Sequence, residues 1–132
     1  MSFELSEQQL DAFKKQLKDQ YLQLREEIRQ NLLRSDSENY KELAGSVHDV
    51  SDEALADLLV DINNADIDRQ IQEIRDIDAA LLRIANKTYG TCITCEAPIS
   101  LPRLQAYPTA KRCLRCQEVY ERTHAGNKTP SI

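Results

Sequence analysis

All four cysteines of the chain fall in one array: Cys92-Ile93-Thr94-Cys95, a gap of 17 residues, then Cys113-Leu114-Arg115-Cys116. Two C-x2-C pairs at a gap of about 15–20 residues are a zinc signature. Zinc takes four soft ligands at tetrahedral corners, with about 2.3 Å to each sulfur. Two residues between cysteines let one tight turn aim both thiolates at the same ion, and the gap lets the chain loop out and return with the second pair. Four protein ligands leave no open coordination position, so the expected ion is structural. Three other chemistries use such cysteines. Two disulfides need an export route, and Met1–Asp11 has no apolar run of signal length. A thioredoxin-like redox pair needs a βαβ context, which is lacking here. Iron–sulfur clusters use more compact spacings.

The remaining chain must position this site. It has 132 residues, 41% hydrophobic, 5% aromatic and 30% charged, and every proline lies at or beyond Pro98. That composition favours long helices ahead of the cysteines. No apolar run approaches the roughly 18 residues of a membrane span. Reduced cysteines without an export signal give the cytoplasm as the expected location. A net charge of −5 argues against a protein that coats nucleic acid non-specifically.

Ser6-Glu7-Gln8-Gln9 has the pattern of a capping box. Apolar residues then recur at Leu10, Phe13, Leu17, Tyr21, Leu24, Ile28 and Leu32, a narrow stripe of helical period, with Lys14, Lys15, Lys18, Arg25 and Glu26 placed opposite. The expectation is a first helix from about Glu7 to about Leu43. Gly45 ends it, and Gly45–Asp52 is a polar turn. Ser51 or Asp52 caps a second helix carrying Leu55, Leu58, Ile62, Ile67, Ile71, Ile74, Ile77, Leu81 and Ile84, which ends near Lys87. The fold class expected is mostly α: an antiparallel two-helix coiled-coil hairpin over residues 1–88, its tip at about 45–53. A small four-cysteine zinc domain with a C-terminal helix follows over 89–132. Narrow stripes require the two helices to bury each other. Some 30 residues of helix give a rod of roughly 45 Å. The metal-held base has too few residues for a large core, so metal binding supplies much of its folding free energy. His124, followed by Gly126, is expected to cap the last helix, with a disordered tail over Asn127–Ile132. His48 is expected to be an exposed loop residue.

Charge is unevenly shared. Asp57, Asp61, Asp66, Asp68, Glu73, Asp76 and Asp78 face only Arg69 and Arg75 between Ala54 and Asp78. The finger has the opposite balance, with Lys87, Arg103, Lys111, Arg112, Arg115 and Arg122 against Glu96, Glu118 and Glu121.

The stretch Tyr89-Gly90-Thr91-Cys92, with Ile99, Arg103-Leu104, Ala106, Pro108-Thr109-Ala110 and Cys113-Leu114-Arg115-Cys116-Gln117, resembles the zinc finger of the DksA/TraR family. Asp49-Val50-Ser51-Asp52-Glu53-Ala54 is similar to that family's D-x-x-D-x-A tip motif, and the interval from tip to first cysteine fits as well. The resemblance spans roughly residues 10 to 120. It implies a bacterial transcription regulator without catalysis of its own. Such a protein binds RNA polymerase by passing a coiled-coil hairpin into the secondary channel, and its tip acts near the active centre to alter promoter-complex stability. On this reading Cys92, Cys95, Cys113 and Cys116 hold one zinc ion and Asp49, Asp52 and Ala54 form the tip. The protein acts as a monomer and reads no DNA sequence. Members that respond to the alarmone ppGpp carry basic residues where this chain has Asp76, Tyr107 and Gln117, so weak or absent ppGpp dependence is implied. Glu96 stands where the first zinc turn more often has Gly, a position that favours a left-handed backbone. Two other readings stay open on the residues alone. A zinc-finger DNA-binding protein would use the basic finger, and a coiled-coil adaptor would pair the stripes between chains.

Overall fold

A computed structural model describes residues 5–62 and 64–128. Six helices account for most of them: α1 (Glu7–Leu33), α2 (Glu38–Ala44), α3 (Asp52–Leu59), α4 (Ala65–Ala85), α5 (Leu101–Ala106) and α6 (Leu114–Lys128). One bridge, Thr91 with Pro98, is the extent of β-pairing among the described residues. The chain divides into two units, one formed by Lys15–Ala79 and the other by the stretches before and after it.

In the helical unit, the stripe seen in sequence is the core. Leu17, Leu24, Ile28 and Leu32 of α1 are buried, as are Ile67, Ile74 and Ile77 of α4. α1 and α4 are the antiparallel arms of a hairpin, with Asn31 Nδ2 donating to Gln70 Oε1 at 2.9 Å near one end. The connection between the arms differs from expectation. The first arm breaks after Leu33 and restarts as α2; the second begins as α3, breaks, and restarts as α4. The first break has a local cause. Ser37 caps α2 by accepting from the Tyr40 amide, and Ser35 Oγ accepts from the Ser37 amide. Short polar side chains here offer the backbone an alternative to helix, and Asp36 stands where the stripe requires an apolar residue. At the second break Asn64 Oδ1 accepts from the Asp66 and Ile67 amides. The five-residue step from Ile62 to Ile67 is its trace in the sequence.

α2 and α3 therefore fold back along the arms. Val47 and His48, just after α2, meet Arg25 and Glu26 of α1. α3 runs antiparallel to α4: Val60 shares a groove with Asp68, and Asp52 shares one with Arg75. The result is an up-down-up-down arrangement in which Ala44, Val47, Leu55, Leu59 and Ile62 join the core. Leu58, assigned to the buried stripe from sequence, is 40% exposed, and Leu59 takes its place.

The other unit begins with the capping box at the start of α1. The Ser6 amide donates to Gln9 Oε1 at 2.8 Å and the Gln9 amide to Ser6 Oγ at 3.1 Å. Its small core comprises Phe13, Ala80, Tyr89, Ile99, Leu104 and Ala110. The Phe13 and Tyr89 rings lie 5.4 Å apart at 50°, and the Tyr89 hydroxyl donates to Pro108 O at 2.7 Å. Gly90 takes φ +86, and a Cβ there would come within 3.2 Å of Leu5 Cδ1. The last helix does not stop at His124: α6 continues to Lys128, and His124 Nδ1 lies 2.8 Å from Tyr120 O inside it. Of the expected tail, Asn127 and Lys128 are helical, and residues 129–132 lie outside the described residues.

Candidate metal centre and tip carboxylates

The four cysteines converge. Their Sγ atoms all lie within 4.8 Å of one another, and Cys95 Sγ is 3.9 Å from Cys113 Sγ. Sulfurs at the corners of a zinc tetrahedron stand about 3.8 Å apart, given zinc–sulfur bonds of about 2.3 Å, so the cluster has the right size. Backbone bonds build it. The Cys92 amide donates to Ala97 O at 2.8 Å and the Glu96 amide to Cys92 O at 3.0 Å, closing the first turn. The Ile93 amide donates to Lys111 O at 2.9 Å, which brings the second pair alongside. Cys113 sits just ahead of α6 and Cys116 in its first turn. Glu96 takes φ 65, the left-handed conformation expected there.

The electrostatics also favour a cation. Burial works against ionising Cys92, but amides of Cys95, Cys113 and Thr94 outweigh it and pull its thiol down to about 6. Cys116 is pushed up to about 12 by its hydrogen bond to Cys113, by burial and by the other two thiols. Thiols this crowded cannot all ionise on their own; a dication at their centre reverses that balance. The residues fit one structural zinc ion.

At the expected tip, the Ser51 side chain caps α3 by accepting from the Ala54 amide at 3.2 Å. Asp49 is exposed and Ala54 is half-buried. Asp52 is engaged within the unit. Arg25 Nη2 lies 2.7 Å from its Oδ1, and the Tyr21 hydroxyl donates to the same oxygen. Arg25 also donates through Nε to the Tyr21 oxygen at 2.9 Å and through Nη1 to Val47 O. Asp78 of α4 completes the group with a hydrogen bond to Asp52. Burial opposes ionisation of Asp52, yet the bonds from Asp78, Arg25 and Tyr21 hold its carboxyl below the usual range. Burial and the neighbouring Asp52 push Asp78 the other way, up to about 7. The opposite shifts follow the pattern of two carboxyls that cannot both ionise freely at close range.

This network is not foreseen by the helical period. The stripe puts Arg25 on the solvent face, whereas it is 4% exposed. Its position next to Leu24 and one turn from Tyr21, at the edge of the stripe, is the available signal. Of the three positions where basic residues are lacking, Asp76 accepts from Gln72 at 3.1 Å, Gln117 donates to Glu121 at 3.0 Å, and Tyr107 is exposed beneath the Arg103 guanidinium. His48 is exposed as expected, with Nε2 at 3.0 Å from Glu26 Oε1.

Residues 87–122 match the family described as the prokaryotic dksA/traR C4-type zinc finger. The chain is 33% identical over 120 residues to the "RNA polymerase-binding transcription factor DksA" of Caulobacter vibrioides, covering 89% of this chain and 80% of that protein. It is 29% identical over 125 residues to the protein of the same name from Salmonella typhimurium, again covering 80% of that protein. Among solved structures, that of transcription factor DksA2 from Pseudomonas aeruginosa matches with a TM-score of 0.60 and 28% identity, over 91% of this chain and 88% of that one.

Proposed function

This chain belongs to the DksA/TraR family, and from that premise we propose that it is a transcription regulator that binds RNA polymerase through the secondary channel. The carrying observation is the extent of the likeness. It takes in 89% of the chain, the helical hairpin as well as the finger. A likeness confined to the finger would have suited many zinc proteins equally.

In this reading the zinc lobe docks at the channel rim and Asp49, Asp52 and Ala54 act near the active centre, altering promoter-complex stability. A helical hairpin suits a pore because it satisfies its own backbone hydrogen bonds. Carboxylates at its end meet basic side chains or metal-bound water. The zinc ion holds the docking lobe in shape and takes no part in chemistry, and the protein acts as a cytoplasmic monomer and not as an enzyme. Among the described residues no helix is long and apolar enough to cross a membrane. The acidic Asp76 and the uncharged Tyr107 and Gln117 support weak or absent ppGpp dependence, since a guanosine tetraphosphate needs positive charge.

The test is a pull-down with core RNA polymerase, paired with in vitro transcription with and without ppGpp. Binding is expected, with a transcriptional effect that ppGpp leaves unchanged. Asp49→Asn should keep binding and weaken the effect. Failure to bind polymerase, together with retention of duplex DNA in a gel shift at physiological salt, would replace this reading with the DNA-binding one.

A further inference from the structure

We propose that the groove between α3 and α4 is a docking site for a basic amphipathic helix of a partner protein, with Arg75 taking an acidic side chain from the centre of that helix. This site goes beyond the polymerase reading and does not depend on it.

The groove is built from one face of each helix. Glu53, Ala56, Asp57 and Val60 line it from α3. Asp68, Ile71, Gln72 and Arg75 line it from α4. Both sets follow the spacing i, i+3, i+4, i+7, so each is a single stripe about two turns long. Two such stripes side by side, roughly 10 Å in length at 1.5 Å per residue, form the seat that a third helix takes. The space between them falls into two adjoining cavities of about 300 and 260 Å³, which share Ala56 and Arg75. The floor is apolar: Leu59 is buried, Ala56 and Ile71 are half-buried, and Val60 is left 75% exposed. Covering Val60 with an apolar side chain would remove it from water, and the small Ala56 lets a helix come close.

Charge decides what covers the groove. The side chains of Glu53, Asp57 and Asp68 have no hydrogen bond or ion pair among the described residues. Other acids of α4 are matched: Arg69 pairs with Asp66 and Glu73, and Asp76 accepts from Gln72. Lysine or arginine on the flanks of an incoming helix would meet the three unmatched carboxylates. The same three charges repel phosphate, so the occupant is a protein segment and neither a nucleic acid nor an anionic lipid. Arg75 adds a further requirement. It lines both cavities in the company of these carboxylates, yet it makes no ion pair or hydrogen bond among the described residues. A guanidinium offers five donors in a fixed fork, and one carboxylate on the apolar face of the occupant would fill it.

The test uses the full zinc-loaded chain and a fluorescent, end-capped peptide of about 14 residues made of Leu, Ala, Lys and one Glu. Leu recurs at helical spacing on one face, Glu sits at the centre of that face, and Lys lies on both flanks. Two further peptides replace the Glu by Gln or shuffle the order. Anisotropy should show saturable binding of the Glu peptide, with Kd on the order of 10–100 μM, weakening as salt rises. Asp57→Lys should weaken it at least about fivefold. Glu27→Lys, an equal change of charge at an exposed position of α1, should leave it within about twofold. Arg75→Gln should cost the Glu peptide about threefold and leave the Gln peptide unchanged. Val60→Ser should weaken both peptides by about threefold. Asp57, Val60 and Arg75 are all exposed, so the core is untouched, and circular dichroism checks that each variant is folded. No binding at about 200 μM, equal binding of the shuffled peptide, or equal losses from Asp57→Lys and Glu27→Lys overturns the proposal. Self-association in sedimentation that Asp57→Lys and Val60→Ser abolish also overturns it, since the groove would then belong to a second copy of the chain.

Discussion

Replacing Asp78 by asparagine isolates the acid pair formed by Asp52 of α3 and Asp78 of α4. Folding raises the Asp78 carboxyl from 3.8 to about 7, through burial and then through Asp52. For a group raised in the folded state, the stabilising share is complete below 3.8 and is lost as pH climbs through 7. Protonated Asp78 donates to Asp52; ionised Asp78 repels it. A rise of roughly three pK units corresponds to about 4 kcal/mol, at about 1.36 kcal/mol per unit. Asp78 is only half-buried, so solvent screening brings the figure to about 1–2 kcal/mol. In the Asp78→Asn variant the side-chain amide would donate to Asp52 at every pH. The assay is urea unfolding followed by helix ellipticity between about pH 5.5 and pH 8.5, with zinc content measured at each pH because thiolate ligation depends on pH. The parent should lose stability across it while the variant stays level. The gap should widen by about 0.5–1 kcal/mol, a midpoint difference of about 0.5 M urea or less. Parallel pH curves for the two proteins would refute the upward shift of the Asp78 carboxyl.

Two further outcomes follow from the metal lobe. Chelating the zinc, or replacing Cys92 by Ser, should abolish the fold of the finger and α6 while leaving much of the Lys15–Ala79 helicity, because so small a lobe folds with its metal; ellipticity and a zinc indicator report this together. Glu96→Gly should stabilise the holo-protein by about 0.5–1 kcal/mol in thermal unfolding, since a left-handed backbone costs a side chain about that much more than glycine.

Several features are legible in the chain because their physics is local. The cysteine spacing dictates a four-sulfur site wherever the loop closes, and the Sγ atoms gather as expected. The Ser6–Gln9 box and the Ser51 cap are satisfied within three residues, so context does not alter them. The buried stripe of α1 follows from helical period alone. The left-handed backbone at Glu96 follows from the resemblance, which more often has glycine at that position.

What lies beyond the sequence concerns competition between alternatives of similar local merit. Ser35 and Ser37 at the first break, and Asn64 at the second, can continue a helix or cap a new one, and only packing decides. Here Val47, Leu55 and Leu59 find full burial against the arms by folding back. The same decision carries Arg25 from an apparent solvent face into the core and gives it Asp52 as a partner across a separation of 27 residues. Local periodicity sets which residues are apolar neighbours on one helix. It contains no information on which distant carboxylate will meet a guanidinium, and that pairing is a property of the tertiary structure alone.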